Sequence, residues 1–167
     1  IAPPYENVSF LMKDLFEYLK DKSEIALIKS CVFHYEMEFI HPFLDGNGRV
    51  SRLFLDAFLH SIGIRGYGLW NISRGLSRDV KNYKANLNYA DMKRQGNQDG
   101  RGYLSNRGLE QFVRFMLKTA LDQIEYMSTC LKLHSLSERI EKYCYRANAS
   151  FLRINPLPQG SDKLFKA

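Results

Sequence analysis

The segment from Ile25 to Ile40 constrains the fold most, because it is long, apolar on several faces and stops at a proline. Apolar residues recur at alternating spacings of four and three, which is the period of an α-helix: Ile25, Ile28, Val32, Tyr35 and Phe39. A helix that is apolar on most sides needs neighbours all round it, so we expect this one to be central. Pro42 disfavours helix in the residue before it, and the helix is therefore predicted to end at His41.

Five further segments carry helical periodicity, and none shows a strand pattern. They span residues 8–20, 48–62, 73–92, 108–133 and 135–149. Ser23 is a plausible N-cap for the central helix, and the glycine-rich polar stretch 94–106 reads as a surface loop. The sequence therefore predicts an all-α bundle of about six helices.

The chain has 167 residues, which suits one domain with an appendage. We expect residues 1–154 to form the helical core with a C-terminal helical extension. Residues 155–167 begin with Asn-Pro-Leu-Pro-Gln-Gly, a linker signal, and then look like the start of a segment that is cut off. The first residue is Ile, so the chain is expected to be a fragment or a processed product.

Hydropathy, net charge and cysteine usage limit the classes of protein to which this chain can belong. No apolar run has the length of a membrane span, and no signal peptide pattern is present. The net charge of +6 suits anionic ligands but does not by itself argue for nucleic acid. Three widely spaced cysteines without a C-x-x-C pattern predict reduced thiols in a cytoplasmic protein.

The loop after the central helix concentrates the polar chemistry. Gly46 and Gly48 let a ligand approach the main chain, and successive N–H groups in such a turn form an anion-binding concavity. The turn leads into a helix N-terminus, which favours phosphate, and Arg49 and Arg52 share a face near it. Asp45 is a hard oxygen ligand suited to Mg²⁺. Together with His41, which can accept a proton near neutral pH, these residues predict a polyphosphate cradle with a base at its mouth.

The twelve residues HPFLDGNGRVSR, from His41 to Arg52, resemble the signature of Fic domains. That signature is written H-x-F-x-[D/E]-G-N-G-R-x-x-R, and all its specified positions are met. The resemblance runs from about Pro3 to about Leu133. Fic enzymes mostly transfer AMP from ATP to a hydroxyl on a target protein, so the resemblance implies a protein adenylyltransferase that uses ATP and Mg²⁺.

The resemblance also implies residue roles. His41 would act as the general base, and Asp45 would hold Mg²⁺. The amides around Gly46, Asn47 and Gly48, with the Asn47 side chain, would steady the α-phosphate. Arg49 and Arg52 would bind the β and γ phosphates, and Tyr83 would line the adenine pocket.

Several residues have a structural alternative. Asp45 could simply cap the next helix, Arg52 could pair with Asp56, and Tyr83 lies on an apolar stripe whose default is the core. Phe43 is expected to turn inward and pin the loop. The remaining histidines lack ligand-like partners and are expected to be structural: His34, His60 and His134.

Other functions stay open at this point. The same fold could remove AMP or transfer another phosphate-containing group to or from a protein. A winged-helix appendage beginning after Pro158 could bind DNA, but residues 1–150 show no basic recognition helix. In Fic proteins a β-hairpin flap precedes the Pro-Pro segment, and many carry an inhibitory helix with a [S/T]-x-x-x-E-[G/N] motif. Ser137 to Glu141 has that spacing, but Lys142 follows where Gly or Asn is expected, so the inhibitor is predicted to lie upstream of this chain. The sequence does not define the oligomeric state.

Overall fold

The computed structural model describes residues 3–21, 25–64 and 68–148. Within these ranges the chain forms seven α-helices and no strand; isolated bridges join Lys93 and Arg101 to Leu104 in the loop before the sixth helix. The helices are α1 (Tyr5–Lys20), α2 (Ala26–Ile40), α3 (Asn47–Ser61), α4 (Ile72–Arg78), α5 (Val80–Ala90), α6 (Asn106–Cys130) and α7 (Leu133–Asn148). The all-α prediction is confirmed.

The helix count differs from the prediction because the segment predicted as one helix over 73–92 is two. The chain bends at Asp79, which has φ −136° and ψ 65° and ends α4. Its side-chain oxygen accepts from the N–H of Asn82 at 3.0 Å and so caps α5. An aspartate at such a position offers the backbone a hydrogen bond that competes with a continuous helix. Periodicity alone did not reveal this break.

Helix α2 is central, as predicted. One face packs on α1 and α3 through a core cluster of Leu15, Phe33, Met37 and Ile40. The Phe33 ring stacks on Phe54 of α3 with centroids 4.0 Å apart. The opposite face carries Tyr35, whose ring lies 5.8 Å from that of Phe112 on α6. Because α2 is held from several sides, the loop that follows it starts from a rigid support.

The described residues belong to two compact units, divided after Ile124. The first holds α1 to α5 and most of α6, and the second holds the end of α6 and α7. The predicted N-cap Ser23 and the predicted linker and truncated segment over 155–167 lie outside the described residues. The proposed division of the chain at residue 154 therefore stays a prediction. In the described part, no helix has the length and apolar character needed to cross a membrane.

Candidate active site

The loop between α2 and α3 carries the motif, and His41 stands at its start. Its N–H donates to the carbonyl of Met37 at 3.2 Å and closes the last turn of α2. The residue has φ 54°, and among the described non-glycine residues it alone has a positive φ. An L-residue in this region costs about 1–2 kcal/mol, and such strain is typical of functional sites. The reversal at His41 brings the loop back toward α3.

The His41 ring is exposed and lines a cavity of about 280 Å³ together with the loop and the first turns of α3. Its Nδ1 lies 3.3 Å from the backbone carbonyl of Glu38. A carbonyl oxygen only accepts, so this contact places the hydrogen on Nδ1 and leaves the lone pair on Nε2. His41 is thus arranged to accept a proton through Nε2.

Gly46 opens α3 and leaves its first amides free. It adopts φ 90° as the N-cap, a conformation that glycine reaches without a Cβ penalty. The Gly46 carbonyl accepts from the amides of Arg49 and Val50, both at 2.9 Å. Within the described residues, the amides of Asn47 and Gly48 have no hydrogen-bond partner. Free N–H groups at a helix N-terminus, beside the cavity that His41 lines, form a site for an anion.

The Asn47 side chain holds the loop. Its Oδ1 accepts from the N–H of Phe43 at 2.8 Å, and its Nδ2 donates to the Phe43 carbonyl at 2.6 Å. The residue is 3% exposed. Both ends of the side-chain amide bond the main chain of Phe43, and the backbone N–H of Asn47 is free among the described residues, so the predicted contact between the Asn47 side chain and the α-phosphate stays a prediction.

Phe43 is not turned inward, and the prediction that it pins the loop is wrong. Its side chain is 46% exposed, and Leu44 beside it is fully exposed. The loop is tied down by the two hydrogen bonds from Asn47 instead, so it needs no apolar anchor. Leu44 is one of the residues that line the cavity at His41.

The two arginines of the motif differ in their partners. Arg49 donates to Asp45 at 2.9 Å, but both side chains are largely exposed, and such pairs are worth only about 0–1 kcal/mol. The guanidinium of Arg52 has neither an ion pair nor a hydrogen bond among the residues that the structure describes. The alternative pair with Asp56 is not formed; Asp56 accepts from Asn71 and Ser73 instead. Of the two arginines in the predicted phosphate cradle, Arg52 is therefore the one whose guanidinium can bind an anion without breaking a contact.

Asp45 suits a metal ion that arrives with phosphates. Its carboxylate is exposed at the rim of the cavity. In the described ranges no three His, Cys, Asp or Glu side chains converge as a metal cage. One carboxylate is nevertheless what Mg²⁺ commonly takes from a protein when phosphate oxygens and waters complete its shell. The donor set fits Mg²⁺ bound to a nucleotide and does not fit a permanent protein-held metal.

Tyr83 lies at the inner end of the site and belongs mainly to the core. It is 8% exposed, and its hydroxyl lies 3.0 Å from Nε2 of His34. Burial raises the pKa of the Tyr83 hydroxyl well above its usual value, and the nearby Glu38 carboxylate raises it further. Part of Tyr83 also lines a second cavity of about 280 Å³, shared with Arg52, Leu76 and Val80 among others. Because Arg52 lines both cavities, the cradle and this second pocket adjoin.

Sequence reasoning missed two residues of the site, Glu38 and Ser51. The carboxylate of Glu38 accepts a hydrogen bond from the Ser51 hydroxyl, and Ser51 is fully buried. Neither is a specified position of the motif. The spacing of Glu38 and His41, three apart on one helix, was the available signal that Glu38 faces the site.

A larger cavity lies elsewhere and lacks the motif residues. It measures about 720 Å³ and is lined mainly by apolar side chains of α2 and α6, such as Val32 and Leu109. Its volume exceeds that of the motif cavity, but it holds no base beside a phosphate-binding turn. We place the chemistry at the motif loop for that reason.

Comparisons with known proteins agree with the motif. Residues 1–59 match the family model described as Fic/DOC family. A probable protein adenylyltransferase of Aquifex aeolicus is 38% identical over 76 residues, which are 45% of this chain and 23% of that protein. The protein adenylyltransferase fic-1 of Caenorhabditis elegans is 33% identical over 66 residues, which are 38% of this chain and 13% of that protein.

A solved structure shares the fold. The crystal structure of a Fic family protein from Desulfovibrio desulfuricans G20 is 33% identical, with a TM-score of 0.64, and the match covers 79% of this chain and 37% of that chain. This chain thus spans well under half the length of the relatives it matches. These findings confirm the resemblance inferred from the motif: residues 1–59 match the Fic/DOC family model, and the all-α fold is similar to that of a Fic family protein.

Proposed function

We propose that this chain transfers AMP from ATP to a serine, threonine or tyrosine hydroxyl of a target protein. One observation carries the proposal: the exposed His41 ring, the free amides at the start of α3 and the unpaired Arg52 all line one cavity. The similar proteins named as protein adenylyltransferases support the same chemistry.

Phosphate binding is assigned to the main chain and the arginines. The amides of Asn47 and Gly48 receive the α-phosphate, where negative charge grows as the phosphorus becomes five-coordinate. Arg52 grips the terminal phosphates, and Arg49 joins it after exchanging its exposed contact with Asp45. A guanidinium suits this task because its planar donors match phosphate oxygens. Asp45 would hold Mg²⁺, which supplies charge neutralisation of the phosphates when bound.

The second cavity suits the nucleotide base. It adjoins the cradle at Arg52 and offers the apolar side chains of Leu76 and Val80 with one face of Tyr83. A purine ring gains from such apolar and aromatic surroundings. Tyr83 would contact the adenine with its ring, while its hydroxyl stays bonded to His34.

The transfer step follows from these positions. The target hydroxyl oxygen attacks the α-phosphorus, and the bond from that phosphorus to the bridging oxygen breaks. Pyrophosphate leaves, and the hydroxyl proton moves to Nε2 of His41. A positioned base of this kind is typically worth about 10²–10⁴ in rate.

The three cysteines are free thiols in the structure, and all belong to the described residues. Burial raises the pKa of the Cys31 thiol to about 12, so it stays protonated and unreactive. Free thiols without a disulfide support the proposed cytoplasmic location.

Labelled nucleotides test the proposal and separate the alternatives. The protein is incubated with Mg²⁺ and ATP labelled at either the α or the γ phosphorus, and intact mass is recorded. Label from the α position alone, with a mass gain of one AMP, supports AMP transfer. Label from the γ position would show phosphate transfer instead, and release of AMP from a modified protein would show the reverse reaction.

A further inference from the structure

The Glu38 carboxylate lies beside the phosphate-binding end of α3. A Cβ placed on Gly48 would be 3.5 Å from Glu38 Oε1 and 3.1 Å from Arg52 Nη1. The carboxylate and the guanidinium therefore flank the same glycine in the first turn of α3. No ion pair joins them in the part of the chain that the structure describes, although they are close enough for a modest side-chain movement to create one.

The Ser51 hydroxyl keeps the Glu38 carboxylate occupied, because it donates a hydrogen bond to Oε1. Ser51 is fully buried on α3, four residues from Asn47, whose amide is one of the free groups of the cradle. A carboxylate that already accepts hydrogen bonds from fixed donors gains less from turning to a cation.

We infer that Ser51 is a positioning residue that holds the Glu38 carboxylate away from Arg52 and so leaves the guanidinium free for a phosphate. Without the Ser51 hydroxyl, the Glu38 carboxylate is free to turn to Arg52 across Gly48, and it competes with the phosphate for the guanidinium. The hydrogen bond from Ser51 thus keeps Glu38 from competing with the phosphate for Arg52. The inference deepens the proposed function and rests on it, because it assumes that phosphates occupy the cradle.

Competition between Glu38 and the phosphate for Arg52 predicts whether each substitution weakens or strengthens anion binding. Ser51→Ala frees the carboxylate and weakens anion binding. Glu38→Gln keeps an acceptor for Ser51 but removes the charge, so binding stays equal or becomes tighter. In the double variant the competitor is gone, and Glu38→Gln reverses the loss caused by Ser51→Ala. A merely structural role for Ser51 would not produce this reversal.

Calorimetric titration with inorganic pyrophosphate measures the effect without any need for turnover. We expect Ser51→Ala to bind about tenfold more weakly than the wild type, and the double variant to return to within about threefold. Ser30→Ala is the matched control, since Ser30 is an equally buried serine whose hydroxyl donates to the Leu27 carbonyl at 2.7 Å. It should leave pyrophosphate affinity unchanged.

Three results would overturn the inference: Ser51→Ala binding like the wild type, a double variant as weak as Ser51→Ala, or no pyrophosphate binding by the wild type. The AMP adduct of the wild type is recorded in parallel. If the adduct forms while Ser51→Ala has no effect, the inference fails and the proposed function stands. If no adduct forms but the affinities follow the predicted order, the proposed AMP transfer fails, whereas phosphate binding at the motif loop and the restraint on Glu38 stand.

Discussion

Acidification should destabilise the fold through His34, which is completely buried on α2. Burial lowers the pKa of its ring from 6.5 to about 4, the Ser51 backbone partly opposes this, and the Arg52 charge lowers it further. The unfolded chain binds a proton at His34 below pH 6.5, whereas the folded chain does so only near pH 4. The stability from His34 is therefore fully present above pH 6.5 and is lost as the pH falls.

The size of the effect follows from the two pKa values. A histidine pKa lowered from 6.5 to about 4 corresponds to about 3 kcal/mol at 1.36 kcal/mol per pKa unit. Between pH 7 and pH 5 about 2 kcal/mol of this is lost, since the unfolded state is then protonated and the folded state is not. This window lies above the range where most carboxylates titrate.

Urea unfolding at pH 7 and pH 5 provides the assay. His34→Gln removes the titrating ring and keeps a group that can bond the Tyr83 hydroxyl, so its free energy of unfolding should change about 2 kcal/mol less than that of the wild type between the two pH values. His60→Gln is the control, because His60 is exposed on α3 and should leave the pH dependence unchanged. If His34→Gln shows the wild-type pH dependence, the ring is not held neutral and the reasoning is refuted.

Substitutions at three further positions test the packing and the loop. Gly108→Ala places a Cβ 2.4 Å from the Tyr89 carbonyl oxygen, so α6 must shift, and thermal unfolding should show a loss of about 1–3 kcal/mol; unchanged stability would contradict the close approach. Asn47→Ala removes two buried hydrogen bonds to Phe43 and should cost about 1–3 kcal/mol in urea unfolding, with weaker binding of pyrophosphate; wild-type values for both would refute its role in holding the loop. His41→Gly should be more stable than His41→Ala by roughly 0.5–1 kcal/mol, because glycine relieves the left-handed strain but loses more chain entropy. Equal thermal stability of the two variants would show that the strain is absent.

The sequence predicted the parts of the fold that depend on long apolar periodicities. Helix α2 is central because its side chains are apolar on several faces, and Pro42 marks the end of that helix within one residue. The break at Asp79 was missed because the apolar positions continue through it in register. The break arises because the Asp79 carboxylate bonds the N–H of Asn82 and caps α5, which competes locally with a continuous helix.

The candidate site was predicted as a set of residues, but not as a network. The motif named His41 and the arginines from their order along the chain, and the structure places them around one cavity. The motif did not show that the side-chain amide of Asn47 is hydrogen-bonded to the main chain of Phe43, because this depends on the path of the loop. Glu38 and Ser51 were missed because they are 13 residues apart and meet only when α2 packs on α3.

The general base assignment to His41 is tested most directly by the rate of label transfer from α-labelled ATP. We expect His41→Ala to lose about 10²–10⁴ in rate while it keeps its fold and its affinity for ATP. His60→Ala, an exposed histidine on α3, should transfer label like the wild type. Transfer by His41→Ala at the wild-type rate would contradict the account, because another group would then be accepting the proton.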